Sequence, residues 1–336
     1  MTTDRTLSYS ILIPFVPTRH EQVLSVAGLV RFGRAHRLWQ GQSLLADAHQ
    51  TFAHLAASGF SVPTGIGVDL TPMRHPVDAA LQARSVARAM DRPMVAGFGP
   101  GSRDLQAALL GAPYSAPVTA AEDYVTIVRA LLGGGPVDIT GSVYSCRMEL
   151  PVLSAPPIEI GLGVLRPAMA RAAGRVADVA VCWLTPPEWI ADVIRPALHA
   201  AAESAGRRPP RIVAMVPVVP SDAGDDRVDA VRAACGGHLT MPHYRDMLRR
   251  AGVLVDDEDF PATARSLLRS GAVVGYDANA RADRFRRYAD AGADEVVLNA
   301  TGTFMTEGLP RAIEDLEAVL DGAPEVAVSG HPVGVA

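Results

Sequence analysis

The stretch TGIGVDLTPMRHP, residues 64–76, decides the fold. An apolar run ends in Gly65 and Gly67, a Thr71-Pro72 turn follows, and Arg74-His75-Pro76 opens a helix. Proline suits the first helical turn, where its missing N–H is not needed. Gly65 and Gly67 leave room for another backbone or a flat ring to come close. The same glycines also suit an ordinary strand–loop–helix corner.

Working outward, the corner recurs. In VAGFGPGSRD, residues 95–104, Gly97, Gly99 and Gly101 follow a strand and precede a helix. Bare amides at a helix N-terminus, here with Ser102, form a ready anion site. The spacing is GxGxG rather than the dinucleotide GxGxxG, and it lies far from a first βα turn, which counts against a Rossmann site. In IGLGVLRPAMARAAGRVADVAV, residues 160–181, a strand ends in Gly161 and Gly163 and Arg166-Pro167 starts a helix. Arg166 there reads either as a phosphate clamp or as a solvated surface arginine.

Candidate strands lie at 9–15, 36–40, 61–68, 93–97, 158–162, 179–183, 212–219, 272–274 and 295–298. Between them run Ala/Arg/Leu-rich segments of helical period, such as 76–89, 120–132, 167–176, 187–204 and 280–291. Strands separated by helix-length segments mean βαβ units and a parallel sheet. About eight units in a chain of this length give an α/β fold, a closed (β/α)8 TIM barrel, with an open doubly wound sheet as the alternative. The expected domain is one barrel over 1–321, with insertions at 133–157 (holding a hairpin) and 236–270, and a loose tail at 322–336.

Composition removes several chemistries. All 31 basic residues are arginine, so no lysine Schiff base and no Gly-Lys phosphate loop exist. A net charge of −5 argues against a nucleic-acid surface. Three dispersed cysteines, Cys146, Cys182 and Cys235, form no disulfide framework and no CxxC pair, and a reducing cytoplasm is the simplest home. Cys235, His238 and His243 fall short of a zinc ligand set, so no metal is expected. No uninterrupted apolar stretch is long enough for a membrane span.

In order and spacing, these segments resemble the bacterial luciferase-like superfamily of FMN-dependent monooxygenases and coenzyme F420-dependent oxidoreductases. The matching pieces are RLWQGQSL at 37–44, TGIGVDLTPMRHP, VAGFGPGS, AEDYVTIVRALLGG at 121–134, IGLGVLRPAMARAAGRVAD and 273–298, covering about residues 9–320. The resemblance implies a barrel, usually dimeric, holding a deazaflavin or flavin ring in its C-terminal mouth and acting on a small-molecule substrate. It implies a third-strand bulge with a non-proline cis peptide at Gly67–Val68 behind the ring. Gly65, Gly67, Val68, Gly99, Gly101, Ser102, Gly161, Gly163 and Arg166 are the implied cofactor contacts.

The departures narrow the chemistry. Where the family often carries Trp-x-Gly-Asp-His, this chain has Trp39-Gln40-Gly41-Gln42-Ser43, and Ser102 stands where F420 sugar-phosphate dehydrogenases carry glutamate. Alcohol oxidation needs a base for the hydroxyl proton, so that branch is disfavoured. What remains is hydride transfer to or from a C=C or C=N bond with F420, oxygen activation on FMN, or cofactor binding without turnover. Ser43 and His49 lead the candidate proton donors, ahead of Asp47 and His75; His49 also reads as a capping or core histidine.

Overall fold

The computed structural model describes residues 6–220, 224–275 and 278–329, with no side chains described at 224–226 and 278–280. Its strands are β1 (Ser8–Leu12), β2 (Leu38–Gln40), β3 (Thr64–Leu70), β4 (Met94–Gly99), β5 (Gly135–Thr140), β6 (Ser145–Leu150), β7 (Ile158–Gly163), β8 (Val179–Trp183), β9 (Arg211–Val219), β10 (Val274–Gly275) and β11 (Glu295–Asn299). Eight of them, β1, β2, β3, β4, β7, β8, β9 and β11, pair in parallel, and the β8–β9 pairing closes the ring. The chain is a closed eight-stranded α/β barrel surrounded by helices. The open-sheet alternative is thereby excluded.

Each sequence candidate overlaps an observed strand. The eighth candidate, at 272–274, is not a barrel stave. It becomes the two-residue β10, which pairs only with the upper end of β9 at Val218 and Val219. The predicted hairpin in 133–157 is the antiparallel pair β5–β6. Residues 236–270 are helical at Pro242–Arg250 and Phe260–Ser270, and carry their own apolar cluster that includes Met247, Leu248 and Leu267. The expected loose tail is tied down in part. Leu7 N–H donates to Val326 O at 2.8 Å and Ser329 N–H to Ala289 O at 3.1 Å, while the rest of that tail, 330–336, lies outside the described residues. Among the described residues no helix is long and apolar enough to cross a membrane.

The barrel interior explains the mouth above it. Leu12, Trp39, Val95, Val179, Val181, Val213, Met215 and Val297 fill it, the inward set of alternating strand positions. Beneath them lies a charged layer. Arg211 grips Glu159 at 2.6 Å, Arg37 stands 3.6 Å from Glu295, and Trp39 Nε1–H donates to Glu295 Oε1 at 2.7 Å. Burial alone would push the Glu295 carboxyl up, but the Arg37 and Arg211 guanidiniums hold it below the usual carboxylate range. This layer fixes the Trp39 indole as a plug across the barrel axis.

Candidate active site at the barrel mouth

The floor of the C-terminal mouth is built by an irregular β3. Its register with β4 shifts between Ile66 and Asp69, and the Gly67–Val68 peptide is cis, at the bond the family resemblance implies. Gly65 and Gly67 do leave room for a flat ring, but the ring is the chain's own. A Cβ on Gly65 would land on the Trp39 indole, and one on Gly67 would land on the Met215 methyl. Val68, displaced by the bulge, lies over the next two strands. A Cβ on Gly99 would sit 2.9 Å from Val68 Cγ2, and one on Gly163 would sit 3.6 Å from it. A Cβ on Gly161 would stand 3.2 Å from the Gly97 Cα. Glycines on β4 and β7 thus keep this side of the mouth low and flat, with Val68 as its apolar centre.

One rim, behind β3, is charged and closed. Asp47 caps the helix Ala48–Ala57 through the amides of His49 and Gln50 and pairs with Arg74 at 2.7 Å. His49 is 5% exposed, and both its ring nitrogens face partners: Nδ1 lies 3.1 Å from Arg74 Nη1 and Nε2 lies 3.5 Å from Asp69 Oδ2. Nδ1 also lies 3.4 Å from Asp47 Oδ1, so the imidazole stands among one guanidinium and two carboxylates. The His49 and Arg74 contacts lower the Asp47 carboxyl far below its ordinary range, His49 the larger cause. Burial raises Asp69 despite His49 and Arg74, and its Oδ1 is buried without a partner.

The opposite rim, at β8, is aromatic and uncharged. Trp183 ends β8, and the His238 ring stacks on it at 4.8 Å and 36°. Tyr244 meets His238 edge-on at 4.9 Å. Burial, with His243 adding, lowers the His238 imidazole to about 4. Burial lifts the Cys235 thiol to about 12, and no metal-holding group of His, Cys, Asp or Glu exists among the described residues.

The other expected site residues are less free than their types suggest. The Ser43 hydroxyl receives the amides of Leu45 and Ala46 and donates to Ala46 O at 3.0 Å. Ser102 caps the helix Arg103–Leu110 by accepting from Leu105 N–H. His75 likewise caps Pro76–Met90 through Val77 N–H. Gly101 adopts φ +69°, a backbone glycine favours, so its loop can turn into that helix. Arg166 precedes the helix Pro167–Val176 and pairs with Asp246 at 3.1 Å. Asp69, Trp183 and His238 were not singled out as mouth residues by the sequence reading. The available signal was position, since Asp69 and Trp183 fall at C-terminal strand ends, where barrels build their sites.

Comparison with known proteins agrees with this architecture. The luciferase-like monooxygenase family model matches residues 30–295. The coenzyme F420-dependent tetrahydromethanopterin reductase of Methanopyrus kandleri superposes with a TM-score of 0.71 at 17% identity, covering 96% of this chain and 99% of that one. An F420-dependent secondary alcohol dehydrogenase in complex with an F420–acetone adduct gives 0.75 at 15% identity, covering 95% and 99%. A monooxygenase from Streptomyces bottropensis gives 0.69 at 16%, covering 94% and 98%. At these identities the likeness is one of fold.

Proposed function

The chain belongs to the luciferase-like monooxygenase family, and we propose that it is an oxidoreductase using coenzyme F420 to move a hydride to or from a C=C or C=N bond of a small molecule. FMN-dependent oxygenation is the second reading. The observation that carries the proposal is the flat, side-chain-poor floor of Val68, Gly99 and Gly163 at the barrel mouth. It fits one face of a planar tricyclic ring. The closed Trp39–Met215 plug beneath it keeps water from reaching that face from below.

When bound, such a ring supplies a two-electron hydride carrier. Val68 supports the ring, and Gly99, Gly101, Ser102, Gly161 and Gly163 let it and its tail approach the backbone. Arg166 and the free amides of the helix Pro167–Val176 hold an anionic tail, with Asp246 sharing the guanidinium. Hydride transfer chiefly requires that donor and acceptor carbon be held face to face. Ser43 and His49 serve the β3 side of the mouth. Because the hydroxyl and both ring nitrogens are engaged within the chain, they act by holding the loop 41–47 in place. Ser43 and Ser102 stand where the resemblance places the acid–base groups of the sugar-phosphate dehydrogenases, which supports reduction rather than alcohol oxidation. We place the protein as a homodimer, by family likeness.

The test is a titration of the apoprotein with F420 and with FMN, followed by ligand fluorescence. Tight F420 binding with weak FMN binding is expected. The reverse order would move the assignment to the monooxygenase reading, and binding of neither would remove it.

A further inference from the structure

The three tryptophans differ in one respect. Trp39 Nε1–H donates to Glu295 at 2.7 Å and Trp189 Nε1–H to Leu165 O at 3.0 Å, whereas Trp183 Nε1–H is buried with no acceptor. A buried N–H left unpaired is costly, so native chains pair almost all of them. Trp183 is also firmly placed. It packs on both the barrel-interior cluster and the cluster of the helices at 236–270, at the seam between them. The next residue, Leu184, is held in the left-handed region at φ +53°, fully buried, with its N–H bonded to Met215 O at 3.2 Å. Backbone strain of this kind in a bulky residue persists where the surroundings over-determine it.

Building on the reading of the mouth given above, we propose that Trp183 and His238 form its substrate subsite, and that the subsite takes an uncharged, planar, conjugated carbonyl compound whose oxygen accepts from the Trp183 indole N–H. The stacked Trp183–His238 rings, closed by the edge of Tyr244, give a flat wall of the kind that prefers planar partners. Charges near the wall are spent. Asp246 is shared by Arg166 and Arg250, Arg245 is held by Asp257, and burial keeps His238 uncharged at neutral pH. An anionic substrate finds there only guanidiniums already shared with carboxylates, Arg166 being further engaged by the cofactor tail, while a neutral acceptor oxygen satisfies the indole donor.

The test uses the protein without cofactor and three bicyclic probes: chromone, naphthalene, which lacks the carbonyl, and 2-naphthoate, which adds a charge. Each is titrated calorimetrically into wild type and into Trp183→Phe, which keeps an aromatic ring and removes the N–H. Chromone should bind wild type about fivefold more tightly than Trp183→Phe, a neutral hydrogen bond's worth. Naphthalene should not distinguish the two proteins, and 2-naphthoate should bind more weakly than chromone. In NMR the indole proton that vanishes in Trp183→Phe should move downfield on adding chromone. An unmoved indole proton, equal chromone affinities, an equal loss for naphthalene, or no chromone binding would each overturn the subsite. Failure of the F420 and FMN titrations would instead count against the cofactor reading and leave this result standing.

Discussion

The two rims of the mouth use polar atoms in opposite ways. Behind β3, Asp47, His49, Asp69 and Arg74 are woven into a charged lattice in which both nitrogens of the histidine are occupied. At β8, Trp183, His238 and Tyr244 touch through ring faces and edges, and an indole N–H is left over. A charged lattice, paired but for Asp69 Oδ1, resists change and holds loops in place. A neutral wall with an open donor is free to recognise something else. Residue type alone points the other way, since Asp and His commonly carry proton chemistry and Trp commonly packs.

The sharpest way to break this comparison is to cut each rim once and compare melts. Arg74→Ala leaves the Asp47 carboxylate and buried Asp69 without their shared cation. It should cost about 2 kcal/mol. Trp183→Phe should cost less, about 1 kcal/mol of packing against the two clusters, since it removes no satisfied hydrogen bond. Equal losses in calorimetric or denaturant unfolding would erase the distinction between the rims.

A second, smaller effect should appear with pH. Burial raises Asp69, with Asp47 and Asp78 adding, against His49 and Arg74. A carboxyl raised in the folded state gives its full stabilisation below the ordinary value of 3.8 and loses it as pH climbs through the folded value. Asp69→Asn cannot ionise and escapes that loss. The melting temperature of Asp69→Asn minus that of wild type should therefore grow from about pH 4 upward, by about 2 °C per kcal/mol, then level off. Asp47 is lowered, so its own contribution is lost only in acid, and it is common to both proteins. A difference that stays flat with pH would show that Asp69 ionises as freely folded as unfolded.

Arg166→Ala should give the smallest change in stability. The Arg166–Asp246 pair is about half exposed on the arginine side, so its loss should cost under about 1 kcal/mol. Cofactor affinity should fall a few-fold and become less sensitive to salt. Affinity unchanged at both low and high salt would remove Arg166 from the site.

The fold was largely written in local pattern. Val179–Trp183 and residues 296–298 are unbroken apolar runs, and such runs separated by helical periods have few solutions besides a parallel barrel. The bulged end of β3 was legible only through the family resemblance, whose spacing the Gly65–Arg74 stretch matches. What filled the space above its glycines was not, because strand pairing alone brings Trp39 of β2 over Gly65 and Met215 of the distant β9 over Gly67. The Trp183–His238 contact spans a helical insertion, and no spacing rule links residues across such a loop. Asp69 looked like a strand-end polar residue until the helix carrying His49 closed over it. The candidate at 272–274 is a strand but not a stave, and a short apolar run reads alike in a barrel stave and in an edge pairing.

The central claim is that the glycine floor around Val68 holds a flat ring, and Gly163→Leu tests it most directly. A Cβ at Gly163 would make only ordinary contacts, with Val68 Cγ2 at 3.6 Å and Phe98 O at 3.7 Å, so the variant should fold with a nearly unchanged melting temperature. Its side chain would nonetheless stand on the floor. The measurement is the dissociation constant for F420 and for FMN, by fluorescence titration of wild type and Gly163→Leu at matched folded concentration. Affinity for whichever of the two binds the wild type should fall at least about tenfold, 1.4 kcal/mol or more, in the variant. A folded variant that binds it as well as wild type does would contradict the account and place the cofactor elsewhere on the barrel.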